Sequence, residues 1–270
     1  MRILMSLLLS ISFLSFQGCS TLDPDEKEIN AMALKAYKEF KSQAKVSTNK
    51  DWNAMLDRVA RRVATASGKN YDWEWMLVES PEVNAWCMPG GKMAVYTGIL
   101  PVIKTEAALA AVLGHEVAHA TENHGKERYA RAIKGNLTGL VIGAATVVGG
   151  QLLCESEACR NLTGLGGAAA GFAITFFDRK FSREEELEAD KEGQKFMANA
   201  GYVPTEAVKV WERMSENSKG AAPPEMLSTH PSDQTRRAKL KEWLPDAMNV
   251  YSKNKSQYGL GETIMAQEEN

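Results

Sequence analysis

His115, Glu116 and His119 stand in the order H-E-x-x-H within LGHEVAHATENH, residues 113–124. On an α-helix, residues four apart differ by roughly 40° around the axis. The two imidazoles would therefore point the same way, one turn apart, and could share a zinc ion at about 2.0–2.1 Å. Glu116, next to the first imidazole, could then take a proton from a water activated by the metal. The pattern alone arises by chance in on the order of one in a hundred chains of this length, so its surroundings must decide. The chain has four histidines, and three of them fall inside this one stretch. Scattered surface histidines would not cluster so. His124, five residues past His119, would be turned about 140° away on a continuous helix and reads as structural or surface.

A catalytic zinc takes three protein ligands and keeps one position open. SREEELEADKEG, residues 182–193, is the best source of the third. Ser182 followed by Glu185 is a capping box, so a helix should start there. Glu186, Asp190 and Gly193 then share one face. Glu186 could ligate the ion. Asp190 could accept the N–H of a ligand imidazole and fix its tautomer. Gly193 would let this helix approach the first one closely. Glu184, Glu185 and Glu188 read as solvated charges. The implied cofactor is one zinc ion per chain.

The elements that must hold these residues can be read around them. Asp25 to about Phe40 reads as an amphipathic helix. In a second helix, Trp52, Met55, Leu56, Val59 and Val63 fall at helical spacing before Gly68. Tyr71, Trp73, Trp75 and Leu77 alternate with Asp72, Glu74 and Met76, a strand with one buried face. NAWCMPGGKMAVYTGIL reads as strand, turn and strand. Thr105 is an N-cap for the helix bearing H-E-x-x-H. Two Gly/Ala-rich stretches, 136–150 and 161–177, flank the polar CESEAC loop. They read as a hairpin dipping into lipid, as packed soluble helices, or as a mobile flap. Each is short for a membrane span. Further helices are expected around 205–217 and 233–244.

With 270 residues and 44% hydrophobic composition, the chain can bury a core. A net charge of −2 gives no basic field for nucleic acid. Residues 1–18 have the layout of a secretory signal, with Arg2 followed by an apolar run from Ile3 to Phe16. The ending SFQGCS is similar to a bacterial lipobox, which makes Cys19 a lipidation site and membrane anchor. Export implies an oxidising compartment. Cys154 and Cys159 could then bridge the CESEAC loop, leaving Cys87 as a buried, inert thiol. The expected division is 1–18 signal, 19–50 anchor and first helix, 51–250 catalytic domain, and 251–270 flexible polar tail.

VNAWCMPGGKMAVYTGIL, GHEVAHATENH, FSREEELEADKEG and STHPSDQTR follow one another between Asn84 and Arg236. Together they resemble a family of zinc metallopeptidases that includes CaaX-prenyl proteases, the bacterial membrane heat-shock protease and periplasmic lipoprotein peptidases. Small periplasmic lipoprotein members, and their relatives of the mitochondrial inner membrane, look nearest. The resemblance implies an α+β, mainly helical, zincin-like fold with a small sheet. It assigns His115, His119 and Glu186 as ligands and Glu116 as the base. It puts His230 near the zinc, either stabilising an oxyanion or bracing the fold, with Arg236 supporting it by charge. It makes Lys92–Thr97 the sheet edge on which an extended substrate lies. Trp86 and Cys87 depart from the family pattern and bear on subsite shape.

The activity so implied is that of an endopeptidase on misfolded or unassembled envelope proteins. The contrasting expectation is a chaperone-like zinc scaffold for outer-membrane assembly, with latent proteolysis and envelope chaperones or assembly factors as partners. By resemblance to sorted lipoproteins, Ser20 after Cys19 places the protein at the bacterial outer membrane facing the periplasm. An inner-membrane lipoprotein or a soluble periplasmic protein is the alternative.

Overall fold

A computed structural model describes residues 24–136, 147–148, 151–152, 167–178, 180–217, 230, 234–259 and 264. Residues 1–18, expected to be a signal, together with Cys19, Cys154, Cys159 and most of the Gly/Ala-rich region, lie outside the described residues. Helices α1 (Glu26–Gln43) and α2 (Lys50–Ala66) come first. Strands β1 (Glu74–Val78), β2 (Ala85–Met88) and β3 (Lys92–Tyr96) follow. Then come a short α3 (Leu100–Ile103), α4 (Glu106–Thr121) and α5 (His124–Asn136). The described chain continues with α6 (Gly167–Asp178), α7 (Arg183–Asn199), α8 (Thr205–Asn217) and α9 (Gln234–Lys253). The architecture is the expected mainly helical α+β fold with a small three-stranded sheet, and Val147–Val148 pairs with Gln151–Leu152 in a separate two-stranded ladder.

The strand order is β1-β3-β2, with β3 parallel to β1 and antiparallel to β2. This corrects the expectation for Lys92–Thr97: β3 is the central strand, and its main-chain groups are taken on both sides. Alternation along the strands sorts their side chains. Leu77, Ala85, Cys87, Met93 and Val95 join the core built on α2 and α4. Met76, Val78, Trp86, Met88, Ala94 and Tyr96 face the opposite way and pack under α1 and α6. Both faces of the sheet are therefore covered. That is why β1, expected to bury one face, buries Met76 and Val78 as well as Leu77.

The outer edge of β1 is closed by the α1–α2 connection, where Ser47 N donates to Leu77 O and Glu79 N to Lys45 O. Among the described residues, the outer edge of β2 has no strand partner. Helix α4 runs through the interior with all its residues buried and packs against α2, α7, α8 and β2. The C-terminal segment, expected to be loose, is tied down in part. Tyr258 N donates to Gly201 O and Ile264 N to Lys104 O, and the Arg62 guanidinium sits 3.5 Å from the centre of the Tyr258 ring. Among the described residues, no helix is long and apolar enough to cross a membrane.

Candidate metal centre

Two helix starts fix the register of the chemistry. Thr105 Oγ1 accepts from Ala108 N at 3.1 Å and begins α4 one residue before its first turn. At α7, Ser182 Oγ accepts from Glu185 N while Glu185 Oε2 accepts from Ser182 N, the full capping box. Glu185 is therefore buried at the cap, where it also pairs with Arg131 at 2.8 Å, and is not a solvated charge. The two helices cross at a pair of glycines. A Cβ on Gly114 would lie 2.5 Å from Gly193 O, and a Cβ on Gly193 would lie 2.6 Å from His115 N.

This crossing brings the ligand candidates together. His115 Nε2 and His119 Nε2 are 3.1 Å apart. Glu186 Oε2 is 3.5 Å from the first and Glu186 Oε1 is 3.6 Å from the second. His230 Nδ1 lies 3.2 Å from His115 Nε2 and 3.0 Å from Glu186 Oε1. All four residues are buried, and each offers one ligand atom within 4.8 Å of the others. Atoms bound about 2.0–2.1 Å from a tetrahedral zinc are separated by roughly 3.3–3.4 Å. The nitrogen and carboxylate donor set and its spacings thus fit zinc.

Glu116 points into the same space without joining the donor set. Its Oε1 is buried, accepts no hydrogen bond from the described residues and lies 3.8 Å from His230 Nε2. Burial pushes the Glu116 carboxyl above the usual carboxylate range, against the pull of His230 and His115. Burial acts on Glu186 in the same direction, but His230 and Arg236 outweigh it and hold that carboxyl down. Burial, reinforced by the neighbouring histidines, keeps His119 neutral, the form that binds metal.

Asp190 and Arg236 back the site. Asp190 Oδ1 is 3.0 Å from His115 Nδ1. Arg236 makes a two-pronged pair with Asp190, 2.7 Å at each oxygen, and reaches Glu186 Oε2 at 2.5 Å. Its guanidinium lies 4.1 Å from the Trp211 ring centre. Burial alone would raise Asp190; the Arg236 pair and the His115 contact overcome it and hold the carboxyl at about 2. Arg236→Met will therefore leave two buried carboxylates without their cation, a loss on the order of 3–5 kcal/mol by chemical denaturation. The acid limb will move too. With an unfolded value of about 3.9, Asp190 stabilises fully above that pH and loses its contribution as pH falls through its folded value. Removing Arg236 raises that folded value, so the window between it and the unfolded value narrows and Asp190 will cost the variant less stability than the wild type as pH falls below about 4.

One neighbour of the site escaped the sequence reading. Helix α4 does not continue to His124; it ends at Thr121, and α5 starts afresh at His124. Between them Asn123 takes a φ of 62°, a left-handed conformation that Asn tolerates better than most residues. The break carries His124 back, so its Nδ1 sits 2.9 Å from His119 Nδ1. Phe181 stacks on the other side of His119, ring centres 3.8 Å apart. Asn123 was the available signal for the break; nothing in the sequence marks Phe181.

The model of peptidase family M48 matches residues 47–244. The mitochondrial metalloendopeptidase OMA1 of Schizosaccharomyces pombe is 34% identical over 223 residues, 80% of this chain and 61% of that protein. Its Saccharomyces cerevisiae counterpart is 35% identical, over 67% of this chain and 50% of the relative. The beta-barrel assembly-enhancing protease of Escherichia coli is 26% identical, over 66% of this chain and 36% of the relative. The chain thus spans about a third to three-fifths of the length of these relatives. Five relatives at 32–35% identity are mitochondrial metalloendopeptidases. They overturn the expected bacterial outer-membrane location, which rested on a lipobox likeness in residues outside the described structure.

Proposed function

Because this chain belongs to peptidase family M48, a family of zinc metallopeptidases, we propose that it hydrolyses internal peptide bonds of unfolded or unassembled polypeptides, as a quality-control endopeptidase. The observation that carries this reading is Glu116 Oε1: a buried carboxylate oxygen, with no hydrogen bond from the described residues and beside a zinc-type donor set, is placed to handle a proton. His115, His119 and Glu186 would hold the ion. Bound zinc polarises a carbonyl and makes water a nucleophile at neutral pH. Glu116 takes the proton of the attacking water and delivers it to the leaving amine. A catalytic site keeps one position open, and the cluster here holds His230 as a fourth possible donor. Of the four donors His230 is the one on neither α4 nor α7, and with His115, His119 and Glu186 holding the ion its ring would lie beside the open position. From there His230 could stabilise the charge that develops on a carbonyl oxygen.

The outer edge of β2 has no strand partner among the described residues, and although its residues are buried, it would give the substrate a place to lie once what covers it is displaced. Tyr96 N donates to Asn84 O, so in this antiparallel ladder Asn84, Trp86 and Met88 turn their main-chain groups toward β3. Ala85 and Cys87 turn theirs outward, beside α4. An extended segment pairing there is bound by its backbone, which selects for unfolded chains over folded ones and reads little sequence. Burial holds the Cys87 thiol well above its usual range, so it stays protonated. The names of the relatives, a beta-barrel assembly-enhancing protease among them, support a role on unassembled proteins.

The test is cleavage of casein by the purified chain. A zinc chelator is expected to abolish cleavage, and stoichiometric zinc to restore it. Activity that survives complete removal of the metal would end the proposal. Stoichiometric zinc on a chain that cleaves no unfolded substrate would favour the scaffold role instead.

A further inference from the structure

We propose that His124 and Glu188 are positioning residues that lock His119 into its metal-binding tautomer through a directed chain of hydrogen bonds. The inference rests on the zinc reading of the site. His119 Nε2 faces His115 Nε2 and Glu186 Oε1, so a metal takes the Nε2 lone pair and the His119 proton must reside on Nδ1. That nitrogen is 2.9 Å from His124 Nδ1. Two ring nitrogens at hydrogen-bond distance need one donor and one acceptor. His119 is the donor, so His124 Nδ1 must be bare and the His124 proton must sit on Nε2. His124 Nε2 in turn faces Glu188 Oε2 at 3.3 Å, a partner that only accepts. Each proton in the series therefore has one consistent position, running from Glu188 through His124 to His119.

Burial makes this arrangement consequential. His119 and His124 are 2% and 1% exposed, so water cannot replace a missing acceptor. Phe181 and the second imidazole together fix the ring plane of His119, one by stacking and the other by hydrogen bonding. The two ligand imidazoles are thus backed differently. His115 leans on a buried carboxylate, Asp190, and His119 on a neutral imidazole. The Glu188 side chain is 57% exposed, so its share of the effect is smaller than that of His124.

The experiment uses the full chain and reads zinc affinity by competition with a chromophoric chelator, not activity. Partners that orient a ligand are worth about 10–100-fold in metal affinity, and His124→Leu, which removes the acceptor, is expected to lose that much. The Oδ1 of asparagine can stand where His124 Nδ1 stands, so His124→Asn is expected to stay within about fivefold of wild type, and Glu188→Gln within about threefold. In the zinc-loaded wild type, 15N-imidazole NMR is expected to show His124 protonated on Nε2 and bare on Nδ1. Equal losses for the Leu and Asn variants would reduce His124 to a packing residue and overturn the proposal. So would unchanged affinity in the Leu variant, or a His124 proton on Nδ1. The NMR result stands even where His124→Leu fails to fold. A wild-type chain that binds no zinc would overturn the metal reading instead, which keeps the two failures apart.

Discussion

Glu116→Gln will lower turnover of an unfolded substrate by about 10²–10⁴-fold, the usual contribution of a positioned general base, while zinc stays bound. The substitution keeps the shape of the side chain and replaces a proton acceptor by an amide that cannot accept one at neutral pH. Glu116 is outside the donor set formed by His115, His119, Glu186 and His230, so the ion keeps its ligands. Nor does the fold depend on the lost charge. Burial already pushes the Glu116 carboxyl upward, which means that its ionised form costs stability in the metal-free chain. That cost is absent at low pH, where the group is protonated, and grows as pH rises past its unfolded value. The neutral variant is expected to be at least as stable as wild type at pH 7. Three measurements check this together: turnover number, zinc content and melting temperature. Full activity in Glu116→Gln, with zinc bound, would remove the proton-transfer role and the peptidase mechanism with it.

Gly193→Ala will separate the two halves of the metal centre. The new Cβ would meet His115 N at 2.6 Å and Gly114 C at 2.7 Å. These are backbone atoms of a buried helix, so no rotamer change relieves the overlap and the helices themselves must part. Helix propensity pulls the other way, since alanine is favoured over glycine by about 1 kcal/mol inside a helix. Overpacking of a tight core costs about 1–3 kcal/mol and occasionally more, and a clash with backbone belongs at the upper end. The net result is a loss of stability. Zinc binding will suffer more than the fold. Glu186 and Asp190 ride on α7, about two turns and one turn before Gly193, while both ligand imidazoles ride on α4. Donors now 3.5–3.6 Å apart reach a common ion only at this helix separation. A variant that melts like wild type and binds zinc equally well would show that the glycine crossing does not set the geometry of the centre.

Much of the site could be read from the order of the residues. His115 and His119 share a face because helical geometry puts residues one turn apart in line, and Glu186 and Asp190 share one for the same reason. Thr105 and the Ser182–Glu185 pair mark helix starts because each supplies the side-chain oxygen that the first backbone amides need. The alternation in β1–β3 announced strands, and three of four histidines gathered in one segment announced a metal.

Other features depended on where elements meet. The central place of β3, the burial of Glu185 against Arg131, and the entry of His230 into the donor set are of this kind. The return of His124 to His119 is the sharpest example, since one left-handed residue at Asn123 reverses what a continuous helix would do. The sequence by itself determined which side chains share a face within each helix and strand, because that follows from backbone geometry over a few neighbouring residues. Only the tertiary structure decided which faces meet, at what distance and around which break. Those outcomes are set by packing between segments far apart in the chain, as where Gly114 and Gly193 meet at a helix crossing that a Cβ on either would block.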